Sequence, residues 1–168
     1  DNEYLKTTIL PKLENGELLG ATGLSNPMKY YAGLEKLYLR AERVEGGYII
    51  NGVLPAVSNL GANHWFGVLA EVGDEEVMVL VSTEVSGLEL NEKVQFVGVN
   101  GSATYSCRFT NVFISMEQVI AEQAKDFVDK IRPTFILYQV PLGLGVMQAA
   151  AEGIDKVKAK QNGCNEYL

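Results

Sequence analysis

A chain of 168 residues that is 47% hydrophobic and 21% charged holds enough apolar material for one ordinary globular domain and is not a disordered segment. Its formal net charge of −7, with Lys and Arg scattered along the chain, argues against nucleic acid as a partner, because phosphate binding needs concentrated positive charge. Two distant cysteines, Cys107 and Cys164, form neither a disulfide scaffold nor a CxxC pair, and two reduced thiols in a cytoplasmic protein are the expectation.

From about Leu18 to Ser115 the text is β-like. Short runs rich in Val, Ile, Tyr and Phe predict strands over 17–24, 34–44, 47–52, 64–72, 76–83, 93–99 and 103–115. Turn residues separate them: Glu45-Gly46-Gly47, Asn51-Gly52, Gly73-Asp74 and Asn100-Gly101. Asn51-Gly52 reads as a two-residue hairpin turn, since both residues tolerate positive φ. The spacing predicts an antiparallel sandwich or barrel. Two strand ends are alike. One stops at Ser25-Asn26-Pro27 and one at Ser58-Asn59, each placing a hydroxyl and an amide after an apolar stretch. Such ends suit a flat, largely apolar ligand whose face is packed by apolar side chains and whose rim is hydrogen-bonded.

From about Met116 to Lys160 the text is helical. Arg132-Pro133 divides it, with Pro133 in the first turn of a long second helix and Pro141 inside that helix as a kink. Phe135 to Met147 is apolar nearly all round, which predicts burial on several sides against further helices of a longer protein or a partner chain. The overall class is therefore α+β, an antiparallel β-barrel or sandwich followed by a long C-terminal helix. No run approaches the ~18 apolar residues of a membrane span, so no membrane association is expected. The opening Asp1-Asn2-Glu3 has neither a Met nor a signal-peptide pattern, and a fragment or processed chain is expected.

Several chemistries lack their residues. His64 is the single histidine and stands at a strand start without a GxSxG or Cys partner, so a local hydrogen bond is its expected role. One His and two distant Cys provide no metal site. The glycines of "LGLGVM" lie in a helical context without a preceding strand, which suits helix packing rather than a dinucleotide loop. Glu75-Glu76 flanks a turn.

At this point the chain resembles the acyl-CoA dehydrogenase family, through "LPKLENGELLGATGLSNP", "LRAERVEGGYIINGVLPAVSNLGANHWFGVLAEV", "VSGLEL", "SATYSCRFTNVFISMEQVI" and "RPTFILYQVPLGLGVMQAAAEGIDKVKAK". The most specific parts are Tyr48–Gly52 and the helix start at Arg132-Pro133. The resemblance implies three regions: residues 1–16 end an N-terminal helical region, 17–115 form a middle β-barrel domain, and 116–168 begin a C-terminal helical bundle. It implies an oxidoreductase that uses FAD to remove hydrogens from an acyl-CoA thioester in a homo-oligomer. Leu24 and Ser25, and Val57 and Ser58, match the two strand ends that touch the flavin. No residue here matches the carboxylate base, and no metal is implied. Five positions depart from the pattern. Ala56 stands for a Trp, Asn26 for a Glu, Tyr30-Tyr31-Ala32 for Gly-Ser-Asp, Asn100 for an Arg, and "KQNGCN" for the helix-closing Arg-x-Thr-Phe-Gly. A non-catalytic relative that keeps the barrel as a structural or binding module is the alternative expectation.

Overall fold

The computed structural model describes residues 2–92, 96 and 98–160. A wide turn over Leu5–Ile9 leads into α1 (Leu10–Glu14). Then come β1 (Leu19–Thr22), α2 (Ser25–Tyr31), β2 (Leu39–Val44), β3 (Gly47–Val57), β4 (His64–Val72) and β5 (Glu75–Ser82). β6 (Leu88–Glu92), β7 (Tyr105–Ser115), β8 (Val119–Ala121) and α3 (Ala124–Lys160) complete the order. The strands join one eight-stranded sheet in the order β6-β7-β3-β2-β4-β5-β8, with β1 paired to β4. The β2–β3, β3–β7, β4–β5, β5–β8 and β6–β7 pairs are antiparallel, as the alternating text predicts. The β1–β4 and β2–β4 pairs are parallel, so the sheet is mixed. The long C-terminal helix follows it.

Alternation supplies the core. Phe66, Val68 and Ala70 of β4, Val77, Val79 and Val81 of β5, Ile50 and Leu54 of β3, and Cys107, Phe109 and Val112 of β7 are all buried in one cluster. Burial raises the Cys107 thiol to about 12, so it stays protonated and unreactive. Cys164 lies outside the described residues.

Several expected elements shift, each for a local reason. Asn51-Gly52 is not a turn. β3 runs through it, and the β2–β3 hairpin closes instead at Glu45-Gly46, between the paired Val44 and Gly47. Across from Asn51, β7 contributes both Thr110 and Asn111, which makes a β-bulge. Asn51 and Asn111 stitch it: the Asn111 N–H donates to Asn51 Oδ1 at 2.8 Å. Residues 34–38 are loop rather than strand, because Asn26 satisfies their backbone, as described below. The strand expected over 93–99 falls largely outside the described residues. β6 supplies the neighbouring strand, through "LEL", which was not read as one.

The helical text also divides differently. Met116–Gln118 is a short turn and Val119–Ala121 joins the sheet as β8, so residues 116–121 are not part of the helix. α3 begins at Ala124, not Pro133, and continues through both Pro133 and Pro141. Its first turns bury Ala124 and Val128, one turn apart, and a single Pro removes only one backbone donor. The chain divides near residue 125 into two compact units. In the second unit Leu137, Tyr138, Leu142, Val146 and Met147 are exposed. By length and composition α3 is long and apolar enough to cross a membrane, contrary to the expectation that no segment reaches that length.

Candidate functional site

The ends of β1 and β3 meet in one cleft of about 190 Å³. Its walls are Gly23, Ser25, Asn26 and Lys29 on one side and Leu54, Pro55, Ala56 and Val57 on the other, with Glu35 and Tyr38 at its edge. Two backbone features build it. Between the Leu54–Cys107 and Val57–Tyr105 pairs, Pro55 and Ala56 together oppose the single Ser106 of β7. This second bulge pushes Pro55-Ala56 out of the ladder, where a residue without an N–H costs nothing. Opposite, the Gly23 N–H donates to the Gly67 carbonyl at 2.7 Å. A Cβ on Gly23 would stand 3.0 Å from Leu54 Cδ1 and 3.1 Å from Gly67 O, so any side chain there would force these neighbours to give way by a few tenths of an ångström.

Asn26 anchors the third side. It is 5% exposed and accepts the Tyr38 N–H at 3.0 Å while donating to the Lys36 carbonyl at 2.8 Å. A buried amide paired both ways holds the 33–38 loop off the sheet. Glu35 then collects three donors: Lys29 Nζ at 2.8 Å, Tyr38 Oη at 2.9 Å and Asn26 Nδ2 at 3.3 Å. The Lys29 ammonium and the Tyr38 hydroxyl hold its carboxyl below the usual range, and Glu35 in turn raises both partners.

The four residues singled out from the sequence fall in two settings. Ser25 and Val57 both line the cleft. The Ser25 hydroxyl is exposed and makes no hydrogen bond to any described residue. Leu24 is buried and is not among the residues that line the cleft. Ser58 lies one residue past the cleft wall, its Oγ 2.7 Å from Thr104 Oγ1. Thr104, 5% exposed, also bonds Ser102 Oγ at 2.7 Å, so three hydroxyls form one chain. Asn59 is a fastener: its φ is +61°, its Nδ2 donates to the Gly20 carbonyl, and its carbonyl lies 2.8 Å from His64 Nδ1. That is the local role expected of His64. Sequence reading missed Lys29, Glu35, Tyr38 and Pro55 as cleft residues. Only Pro55 carried a signal, since a proline inside a strand pattern marks an edge or a bulge.

A second charged group binds β8 to the sheet. Arg43 pairs with Glu122 and donates to Tyr48 Oη at 2.7 Å, and Tyr48 Oη donates to Glu122 at 3.1 Å. Arg43 and then Tyr48 lower the Glu122 pKa. A depressed carboxyl stabilises the fold above its unfolded pKa of ~4.3 and loses that contribution as pH falls through the folded value. Both side chains are about half exposed, so the effect is small and screened by salt. Thermal midpoints of the parent and Glu122→Gln should therefore differ near neutral pH and converge in acid. A gap of constant size at every pH would reject this account.

No protein-family model matches the chain. It is 30% identical to the mitochondrial isovaleryl-CoA dehydrogenase of Oryza sativa subsp. japonica over 125 residues, covering 71% of this chain and 30% of that protein. It is 27% identical over 140 residues to the benzylmalonyl-CoA dehydrogenase of Aromatoleum aromaticum, covering 80% of this chain and 37% of that one. In fold it is similar to a glutaryl-CoA dehydrogenase from Mycobacterium smegmatis solved with FADH2, at a TM-score of 0.61 and 27% identity, over 71% of this chain and 31% of that one. The chain thus spans about a third of the length of the relatives it matches. Sequence and fold agree over the same share of the chain: its curated relatives and its structural neighbours are acyl-CoA dehydrogenases.

Proposed function

We propose that this chain is the flavin-edge portion of an FAD-dependent acyl-CoA dehydrogenase, an oxidoreductase of the CH–CH type acting on an acyl-CoA thioester. The observation that carries this reading is the meeting of the two strand ends. Ser25, whose hydroxyl has no partner among the described residues, lines the same cleft that Leu54, Ala56 and Val57 wall with apolar surface. An apolar wall facing a free hydroxyl suits the edge of a flavin ring. Bound there, FAD supplies the acceptor for the hydride that leaves the acyl chain. The chain's own residues position it. Val57, Ala56 and Leu54 would pack the ring and Ser25 would donate to its polar rim, with Leu24 and Ser58 next in sequence to the cleft residues Ser25 and Val57. Thr104 holds the Ser58 hydroxyl in place. The cleft is smaller than the ~300–1,000 Å³ of a complete small-molecule site, so it takes one end of the ligand. The rest of the site, the carboxylate base included, is assigned to no residue of this chain.

The apolar surface of α3 supports an assembly in which other helices of the whole protein, or another copy, cover it. The mass of the whole protein in solution tests that part, and a monomer with α3 ordered and exposed would count against it.

The intact protein, purified from cells, should be yellow and show flavin absorbance. Ser25→Ala should weaken FAD binding about three- to tenfold, the worth of one neutral hydrogen bond. A colourless intact protein that takes up no added FAD overturns the reading. FAD affinity unchanged in both Ser25→Ala and Ser58→Ala would show that these strand ends do not touch the flavin.

A further inference from the structure

The three hydroxyls between the end of β3 and the start of β7 form a chain that can run in either direction. Thr104 Oγ1 stands between Ser58 Oγ and Ser102 Oγ, 2.7 Å from each, and in both contacts either oxygen can be the donor. Thr104 is 5% exposed, whereas Ser102 is half-buried and Ser58 is exposed, with room for one more partner. Thr104 is the one side chain that either serine meets among the described residues. The backbone holds the three oxygens in place. The Asn59 N–H donates to the Ser102 carbonyl at 2.9 Å, and the Leu60 N–H donates to the Ala103 carbonyl at 3.0 Å. Ala103, between the two hydroxyl residues, takes a φ of +46°, a strained setting for a residue with a Cβ.

Each hydroxyl carries one proton, so the chain has two orders. In the first, Ser102 donates to Thr104 and Thr104 donates to Ser58, which leaves Ser58 its own proton to donate outward. In the second, Ser58 donates to Thr104 and Thr104 donates to Ser102, and Ser58 offers outward only a lone pair. The change between them rotates three O–H bonds, and no proton leaves its oxygen. We propose that this reversal lets Ser58 serve both redox states of the flavin. Ser58 donates to an edge nitrogen of the oxidised ring. It accepts from the N–H that this nitrogen gains when the ring takes up the hydride leaving the acyl thioester. Thr104 and Ser102 are positioning residues that act through Ser58, by taking up the proton that would otherwise point at that N–H. This inference rests on the flavin-edge reading above, with Ser58 meeting the ring beside Val57.

The test reads the reduction potential of the flavin bound to the full-length protein. In Ser102→Ala the buried Thr104 proton has only Ser58 left to meet, so the first order is locked and Ser58 is held as a donor. Reduced flavin should then bind about three- to tenfold more weakly relative to oxidised flavin, the worth of one neutral hydrogen bond. For a two-electron couple that lowers the potential by ~15–30 mV. A potential unchanged or raised, with FAD still bound, overturns the proposal. Thr104→Val supplies an independent measurement. It should weaken FAD binding about three- to tenfold in the parent and not at all in a Ser58→Ala background, and Thr104→Ser should restore it. An equal loss in both backgrounds would show that Thr104 acts through the fold and not through Ser58, and overturns the proposal as well. A parent protein that binds no FAD overturns the functional reading together with it.

Discussion

Gly52→Ala should lower the stability of the β-unit by about 3 kcal/mol or more, read as a shift of the urea midpoint at unchanged slope. Gly52 has a φ of +133°, which alanine does not adopt without strain. The added Cβ would also press into the Tyr38 carbonyl oxygen and lie 3.1 Å from Leu39 Cα, both of them backbone atoms that no rotamer can move. The strand pair must therefore separate. Tyr38 lines the cleft, so the substitution should weaken ligand binding as well. A variant as stable as the parent would show that Gly52 is a tolerant position and that the bulge is not what shapes this part of β3.

Phe66→Ala should cost about 3–5 kcal/mol, the usual range for emptying a large aromatic site in a core that cannot collapse. Phe66 is fully buried in β4, flanked by Val81 across the pair, and its ring meets that of Phe109 at 6.2 Å with a 57° tilt. That geometry adds an edge-to-face term to the area lost. Because a domain of this size has only about 5–15 kcal/mol to lose, Phe66→Leu is the graded companion. It keeps most of the volume and should lose less than half as much in the same urea titration. A loss under about 1 kcal/mol for the alanine variant would mean that β4 is not the centre of the core.

The parts of this protein that were legible in the text are those governed by one-dimensional periodicity. The run His64–Val72 was read as a strand and is one, because alternation on a paired strand is local information. The strands at 47–52, 76–83 and 103–115 were found for the same reason, although their ends moved. The long helix after residue 124 was visible from composition. The likeness to acyl-CoA dehydrogenases was legible too, and a relative 30% identical over 71% of the chain agrees with it.

The errors share a different cause. Asn51-Gly52 has the chemistry of a turn and of a bulge alike, and the positive φ that both need is a local fact. Which one forms depends on whether β7 supplies a partner strand, and β7 lies some 60 residues away in sequence. Likewise 34–38 has strand-like text, yet the buried Asn26 claims its backbone. The cleft follows the same rule. Ser25 and Val57 could be picked as strand-end residues one at a time, but that they face one cavity depends on the pairing of β1 with β4 and on the Pro55-Ala56 bulge. Lys29, Glu35 and Tyr38 left no pattern, because a surface charge becomes a site residue only when a distant segment closes around it. Residue periodicity records how a segment meets its neighbours on average, and so it reveals strands, helix and lineage. Register, bulges and the meeting of segments are sums over long-range contacts, and they appear only once the chain has packed.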